Sequence, residues 1–327
     1  MIISRAPVRL SMGGGGTDLP SFYEQHGGFL LAAAINKYVY LSINRRFSES
    51  IRLSYSKTEI VDRVESIEHN IFREALKLTK IESGIELVSI ADVPAQCGLG
   101  SSSTFTVALL NGLYAYKRIY LPLERLAESA CRLEIGILKE PIGKQDQYAS
   151  AFGGFNAYTF HKDGTVTVEP VNITVEHLLE LQNNLFLFYL KRDRQASSVL
   201  TVQDRKSREG DRGTLDRLHR IKEIGIHTRK IFEEGKLHEF GEILHEHWLT
   251  KKGLSDKVSD SSIDEVYDHA LKNGATGGKV VGAGGGGFLL LYCPKERTRL
   301  VTAMKAMGLE PMWFTFEPEG AKIVFHG

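Results

Sequence analysis

Apolar and polar positions recur with two different periods along this chain, and the switches between them mark its elements. Residues 2–12 read as a strand that ends in four glycines, Gly13 to Gly16, followed by Thr17 and Asp18. Residues 29–46 alternate again, with Val39, Leu41 and Ile43 on one side, as one strand or two; 51–55 is a further short strand. Residues 64–80 take the spacing of an amphipathic helix, and IELVSIADVP at 85–94 returns to a strand. That strand feeds PAQCGLGSSST. Beyond it, Phe105, Val107, Ala108, Leu109, Leu110, Leu113 and Tyr114 make a helix apolar nearly all round, which predicts burial.

Further on, residues 121–138 space Leu126, Ala130 and Leu133 helically, with Glu134 near the end of the pattern. Pro141 and Gly143 break that helix, and Asp146 is expected in the turn beyond. Glu134 and Asp146 thus stand on opposite sides of the break and can converge on one pocket. At 185 LFLFYL opens an apolar strand that turns basic at Lys191, Arg192 and Arg194. Residues 212–247, 262–272 and 295–307 read as helices, and 288–292 with stretches near 312–316 and 321–325 as strands. A polar stretch within 160–182 separates two apolar regions and divides the chain into expected domains 1–170 and 171–327. The order of elements predicts a two-layer α+β fold, without the strand–helix repetition of a doubly wound sheet.

Composition narrows the function only a little. Lys and Arg total 41 against 40 Asp and Glu, a net +1, so no global field favours nucleic acid or an acidic membrane. Cys97, Cys131 and Cys293 are too far apart for a metal or disulfide pattern. MIISRAPVRL is too short and too quickly charged for a signal peptide, and no apolar run approaches the ~20 residues of a membrane span. A soluble, cytoplasmic protein is the expectation.

The placing of the glycines says more. Gly98 and Gly100 leave the backbone free to turn closely around a ligand, and Ser101, Ser102 and Ser103 offer helix caps and hydroxyl oxygens. A buried helix with exposed amides at its start and no acid in its first turn seats a phosphate. No lysine follows in the GxxxxGK[ST] arrangement, so this is not the common P-loop. Glycine-rich segments at 13–16, 98–103 and 284–287 each stand at a strand end or helix start, where amides gather around an anion. Phosphoryl transfer uses all of these parts. Donor phosphates need amides and Mg²⁺, Mg²⁺ needs oxygen ligands, and the acceptor hydroxyl needs a carboxylate beside a positive group.

With those segments in view, the chain resembles the GHMP kinase superfamily over nearly its whole length. APVRLSMGGGGTD (6–18), PAQCGLGSSST (94–104) and GAGGGGFLLL (282–291) resemble its three motifs, in order. The resemblance implies an N-terminal domain like ribosomal protein S5 domain 2, a ferredoxin-like C-terminal domain, and ATP with Mg²⁺ in the cleft between them. It implies that Gly98, Leu99, Gly100, Ser101, Ser102 and Ser103 form the phosphate loop and that Ser102 and Glu134 hold the metal. It implies that Asp146 and Arg9 are catalytic, that Asp18 accepts a sugar hydroxyl, and that Gly284, Gly285 and Gly286 shape the cleft. Galactokinases carry Glu-His where this chain has Gly15 and Gly16, which argues against galactose and leaves more room for the acceptor.

SRAPVRLSMGGGGTDLPSFYEQHGG, INKYVYLSI, FYLKRDRQASSVL and HEHWLTKKGLSDKVS resemble the bacterial D-glycero-D-manno-heptose 7-phosphate kinase branch. That branch implies ATP-dependent phosphorylation of the anomeric hydroxyl of a phosphorylated sugar, for nucleotide-activated heptose synthesis. Alternatives are an L-fucose-type or other sugar 1-kinase and, in another class, a non-catalytic nucleotide-binding regulator on the same fold. Arg194, then Arg192, are the expected readers of the remote phosphate, with Lys251 and Lys252 as substitutes. Lys144 and Lys279 match no motif and are expected in solvent. Whether the chain acts as a monomer or a homo-oligomer is open.

Overall fold

The alternating stretch after Gly28 forms one strand, not two, and its length organises the first half of the structure. In the computed structural model, which describes residues 1–192 and 196–327, β1 (Ile2–Gly13) runs antiparallel to β2 (Gly28–Arg45). A hairpin of β3 (Ile51–Ser54) and β4 (Thr58–Val61) lies beside β5 (Ile85–Ala91), with β3 and β5 parallel. The other edge of β2 is shared: Val39 to Arg45 pair with β5, and Gly28 to Ala33 with β6 (Phe155–Phe160), which carries β7 (Val166–Pro170). A strand formed by Lys322–His326 closes the free edge of β1.

One face of this mixed sheet takes the helices. After the short α1 (Pro20–His26) come α2 (Asn70–Thr79), α3 (Ser101–Tyr116), α4 (Leu123–Cys131) and α5 (Gln145–Phe152). As its composition predicts, α3 is buried, with Leu109, Leu110 and Leu113 fully covered. The pattern read as one helix over 121–138 ends at α4. The chain then widens into a π-helical turn, Arg132–Ile137, of the kind often found at functional sites. Asp146 is not in a turn: Gly143 and Lys144 end the break, and Asp146 stands in the first turn of α5.

The stretch within 160–182 expected to separate the domains contains β7 and α6 (Val175–Asn184). Beyond it come β8 (Leu185–Tyr189), α7 (Ala196–Arg208), α8 (Arg212–Glu233), α9 (Phe240–Lys252), α10 (Ser261–Lys272), β9 (Gly277–Val280), β10 (Phe288–Tyr292), α11 (Arg297–Ala306) and β11 (Pro311–Met312). The helical stretch 212–247 is two helices, parted by a short 3₁₀ turn at Leu237–Glu239. The second sheet is antiparallel throughout, in the order β11-β8-β10-β9. The last strand, β12 (Lys322–His326), falls within the expected 171–327 domain but hydrogen-bonds to β1 in the first sheet.

The two halves share a core. Val8, Leu10, Met12 and Leu31 from the first sheet pack in one apolar cluster with Leu187, Phe232, Phe240 and Leu290 from the second half. Buried on both faces, β1 is covered throughout Ala6 to Gly13, and that run is apolar or small except at Arg9.

Above this core the loops before α3 and between β9 and β10 touch backbone to backbone. Phe288 N donates to the Cys97 carbonyl at 3.2 Å. A Cβ on Gly98 would stand 2.7 Å from the Val281 oxygen, and one on Gly282 2.6 Å from the Gly98 oxygen. Both glycines also have positive φ, +85° and +68°. Gly98→Ala should therefore destabilise the protein by on the order of 2–5 kcal/mol, through backbone strain plus the clash with Val281. Gly164 has the same φ of +85° and nothing within 4 Å, so Gly164→Ala carries the strain alone. Thermal melting of the two variants separates these contributions, and equal melting temperatures would show that the loops part without cost.

Candidate active site

Three pieces of backbone converge on a cleft of about 470 Å³ between the two halves, a size suited to a small-molecule site. The start of α3 forms one wall, the glycines after β1 another, and the β9–β10 loop a third. At α3 the N-cap is Gly100 in the left-handed conformation, no side chain caps the helix, and its first turn holds no acid. The amides of Ser101, Ser102 and Ser103 thus precede the first intrahelical bond, Thr104 N to Gly100 O at 2.9 Å. Ser102 is exposed, whereas Ser101 and Ser103 are buried. The serines serve here by position and not as caps. Leu99 does not line the cleft; it is buried in the shared core, and its carbonyl accepts from Arg9 N at 3.2 Å.

Arg9 lies at the centre. It is 2 % exposed and spends its guanidinium on two partners. Nε donates to Asp146 Oδ1 at 2.8 Å, with Nη2 2.6 Å from the same oxygen, and Nη1 donates to the Gly98 carbonyl at 2.8 Å. The arginine therefore ties the aspartate to the loop before α3. Asp146 Oδ2 has no hydrogen-bond partner among the described residues, and Asp146 lines the cleft. Gly100 explains itself here, since a Cβ would meet the Asp146 carboxylate at 3.0 Å.

Glu134, 1 % exposed at the cleft wall, is delivered by the π-helical turn. Its Oε2 accepts from Gln147 Nε2 at 2.6 Å, and the Ser103 and Thr106 hydroxyls also reach it. Burial pushes its carboxyl up to about 7, against those hydrogen bonds. A buried carboxylate and the exposed Ser102 hydroxyl are hard oxygen donors of the type Mg²⁺ takes, and a divalent cation would restore the ionised form. The residues present fit that ion.

Asp18, expected to meet a sugar hydroxyl, stands behind the cleft wall and is 1 % exposed. Oδ1 accepts from Gly16 N at 3.1 Å and Gln145 Nε2 at 3.2 Å, and Oδ2 from Gln145 N at 3.1 Å. Burial first, and the Asp146 charge second, raise its carboxyl to about 6. In this position it holds the glycine loop against the start of α5. Gly15 and Gly16 do line the cleft, as do Gly284 and Gly286, while Gly285 turns away and donates to the Val258 carbonyl at 2.7 Å.

The basic residues sort differently from their expectation. Arg194 lies outside the described residues. Arg192 is half exposed away from the cleft and pairs with Asp260 at 2.8 Å, and Lys252 pairs with Asp264 at 2.6 Å. Lys144, expected in solvent, bonds to Glu128 at 3.1 Å and to the Gly164 carbonyl at 2.6 Å. Lys279, also expected in solvent, is 2 % exposed in the cleft wall, because all of β9 is covered. Lys251 lines the cleft beside it.

His247 and Gln203 line the cleft as well, and no motif marked them. His247 stands one helical turn before Lys251 on α9, a spacing that puts both on one face and was the available signal. Gln203 Nε2 donates to the Gly16 carbonyl at 2.8 Å, a contact with no sequence signature.

Residues 69–154 match the GHMP kinases N terminal domain, and residues 228–308 match the GHMP kinases C terminal domain. D-glycero-alpha-D-manno-heptose 7-phosphate kinase of Campylobacter jejuni is 29% identical, over 98% of this chain and 98% of its own. A crystal structure of a D-glycero-D-manno-heptose 1-phosphate kinase from Bacteroides thetaiotaomicron superposes with a TM-score of 0.81 at 26% identity, covering 100% of both chains. Galactokinase of Lactococcus lactis, solved with galactose, shares the fold with a TM-score of 0.77 at 18% identity, over 98% of this chain and 94% of that one. With its α+β architecture in two domains and both family halves matched in order, the chain belongs to the GHMP kinase superfamily.

Proposed function

We propose that this protein is an ATP-dependent sugar kinase that phosphorylates the anomeric hydroxyl of D-glycero-D-manno-heptose 7-phosphate, giving the 1,7-bisphosphate. The observation that carries this reading is the Arg9–Asp146 pair, bound to the Gly98 carbonyl and lining the cleft, with Asp146 Oδ2 free of hydrogen bonds among the described residues. A non-catalytic nucleotide-binding protein has no need of an unpaired carboxylate oxygen held beside its phosphate loop. The full-length relatives described above favour a heptose over L-fucose as the acceptor.

The chain's own residues divide the work. The amides of Ser101 to Ser103 hold the donor phosphates at the positive end of α3. Ser102 and Glu134 would hold the Mg²⁺ that the family generally uses, which neutralises charge on those phosphates. Asp146 Oδ2 accepts a hydrogen bond from the acceptor hydroxyl, orients it toward the donor and takes up its proton as the new O–P bond forms and the bond from the γ-phosphorus to the ADP oxygen breaks, with ADP leaving. Arg9 holds Asp146 in place through Oδ1, and its positive charge favours the charge that develops on the transferring group. The apolar shared core beneath keeps β1, and so Arg9, from shifting.

The direct experiment is ATP-dependent turnover of D-glycero-D-manno-heptose 7-phosphate with the position of the new phosphate determined by NMR; preference for L-fucose would move the protein to another branch. Asp146→Asn keeps the shape of the side chain and removes the proton acceptor. It should lower kcat by ~10²-fold or more with little change in ATP affinity. Near-normal turnover by a pure sample of that variant would remove Asp146 from the chemistry. Ser102→Ala should slow the reaction and raise the Mg²⁺ concentration needed for half-maximal rate. A metal titration of the variant that overlays the wild type would take Ser102 out of the metal site.

A further inference from the structure

The cleft contains a group of basic side chains that phosphoryl transfer, as described, does not use. Lys279 Nζ lies 3.5 Å from Ser11 Oγ and 3.3 Å from His247 Nδ1. Lys251 Nζ donates to the Val280 carbonyl at 3.0 Å and to the Gly282 carbonyl. All four residues line the cleft. Neither lysine forms an ion pair among the described residues, whereas Lys252 and Arg192, which do not line the cleft, are both neutralised by aspartates. An ammonium has three protons, and each buried lysine has spent two positions on neutral partners. One donor on each is left over at the cleft wall.

Burying an ammonium without a counter-ion is costly, so a protein that places two side by side does so at a penalty to its stability. Burial and the Arg9 charge push the Lys251 ammonium down to about 7, and burial with the Lys251 and Arg9 charges depresses Lys279 further. His247, buried beside them, is likewise held neutral, so its Nδ1 can accept from Lys279. An arriving anion reverses these penalties.

The position selects which anion. Ser11 follows Arg9 by two residues on β1, so both side chains share a face about 7 Å apart. Ser11 Oγ would lie 3.1 Å from a Cβ on Gly15, which places the lysines beside the open glycine loop. The donor phosphates have the start of α3 and Glu134, which share no hydrogen bond with either lysine among the described residues. We propose that Lys279 and Lys251, oriented by Ser11 and His247, are the seat for a phosphate monoester carried by the acceptor sugar at the end remote from the reacting hydroxyl. This rests on the sugar-kinase reading and adds the part of the substrate that the reaction leaves untouched. The seat uses lysines because a monoester at the end of a flexible chain needs charge more than a fixed planar fork.

The test compares wild type, Lys279→Met, Lys251→Met and, as a control away from the cleft, Lys252→Met. Calorimetric binding is measured without ATP for D-glycero-D-manno-heptose 7-phosphate, mannose 6-phosphate and the two unphosphorylated sugars; initial rates then give KM for each acceptor and for ATP. Each cleft variant is expected to bind the phosphorylated sugars roughly 10- to 100-fold more weakly, with the neutral sugars and KM for ATP unchanged. Lys252→Met should match wild type. Equal losses on phosphorylated and neutral sugars, or a matching rise in KM for ATP, would overturn the seat and assign the lysines to structure or to the donor. Methionine fits a buried lysine's stem, and two independent positions guard against one variant failing to fold. The kinase reading stands or falls on wild-type turnover alone: phosphate-selective binding without turnover would uphold the seat and defeat that reading, and turnover without selectivity would do the reverse.

Discussion

The closeness of two loops from different sheets sets the geometry of everything in the cleft. Gly98, Gly282 and Gly287 let the segment before α3 and the segment between β9 and β10 lie in direct backbone contact, where any side chain would force them apart. A Cβ on Gly287, for example, would run into the Cys97 carbonyl. The loop before α3 is thereby registered against the end of β9, and β9 carries Lys279. Arg9 adds a second tie from β1, to the Gly98 carbonyl and to Asp146. Three chain segments far apart in sequence are thus fixed relative to one another by main-chain contacts and one buried guanidinium, which leaves little freedom for their side chains to be misplaced.

Within that frame charges of both signs line one cleft: Glu134 and Asp146 stand in its wall together with Arg9, Lys251 and Lys279. Buried charged groups of this kind contribute little to stability and often reduce it, because desolvation offsets much of the attraction. Their density here is understandable as function and hard to justify as structure. The stabilising work falls to the apolar cluster shared by the two sheets, which allows the polar wall above it to be arranged for binding.

Much of this was legible in the sequence because it depends on local rules. The apolar surround of α3, the glycines that precede it and the break between Glu134 and Asp146 are all encoded within short windows, and the structure forms each of these elements near its expected place. Less legible was whatever depends on a distant partner. Lys279 reads as an ordinary surface lysine until α9 and β1 close over β9, and its burial is decided by those contacts. Arg192 lies in a basic run that suggests phosphate, yet Asp260, far along the chain, claims it. Asp18 sits in a motif that suggests ligand contact, but the amides of Gly16 and Gln145 enclose it. The π-helical turn escaped notice because its periodicity differs from that of α4 by a single residue's displacement, below what an apolar pattern resolves.

The pairing of β12 with β1 bears on how the molecule is made. β1 carries Arg9 and precedes every other strand described, but the strand that covers its outer edge, from Ile2 to Arg5, is synthesised only after the whole second sheet. Until then the nascent chain holds a strand with bare amides and carbonyls beside the residue on which the cleft is centred. Such an edge invites pairing with another chain, and contacts this remote in sequence close slowly. Translation therefore leaves the outer edge of β1 open to misassembly until β12 is made, and the first sheet reaches its final form only after the second has been built.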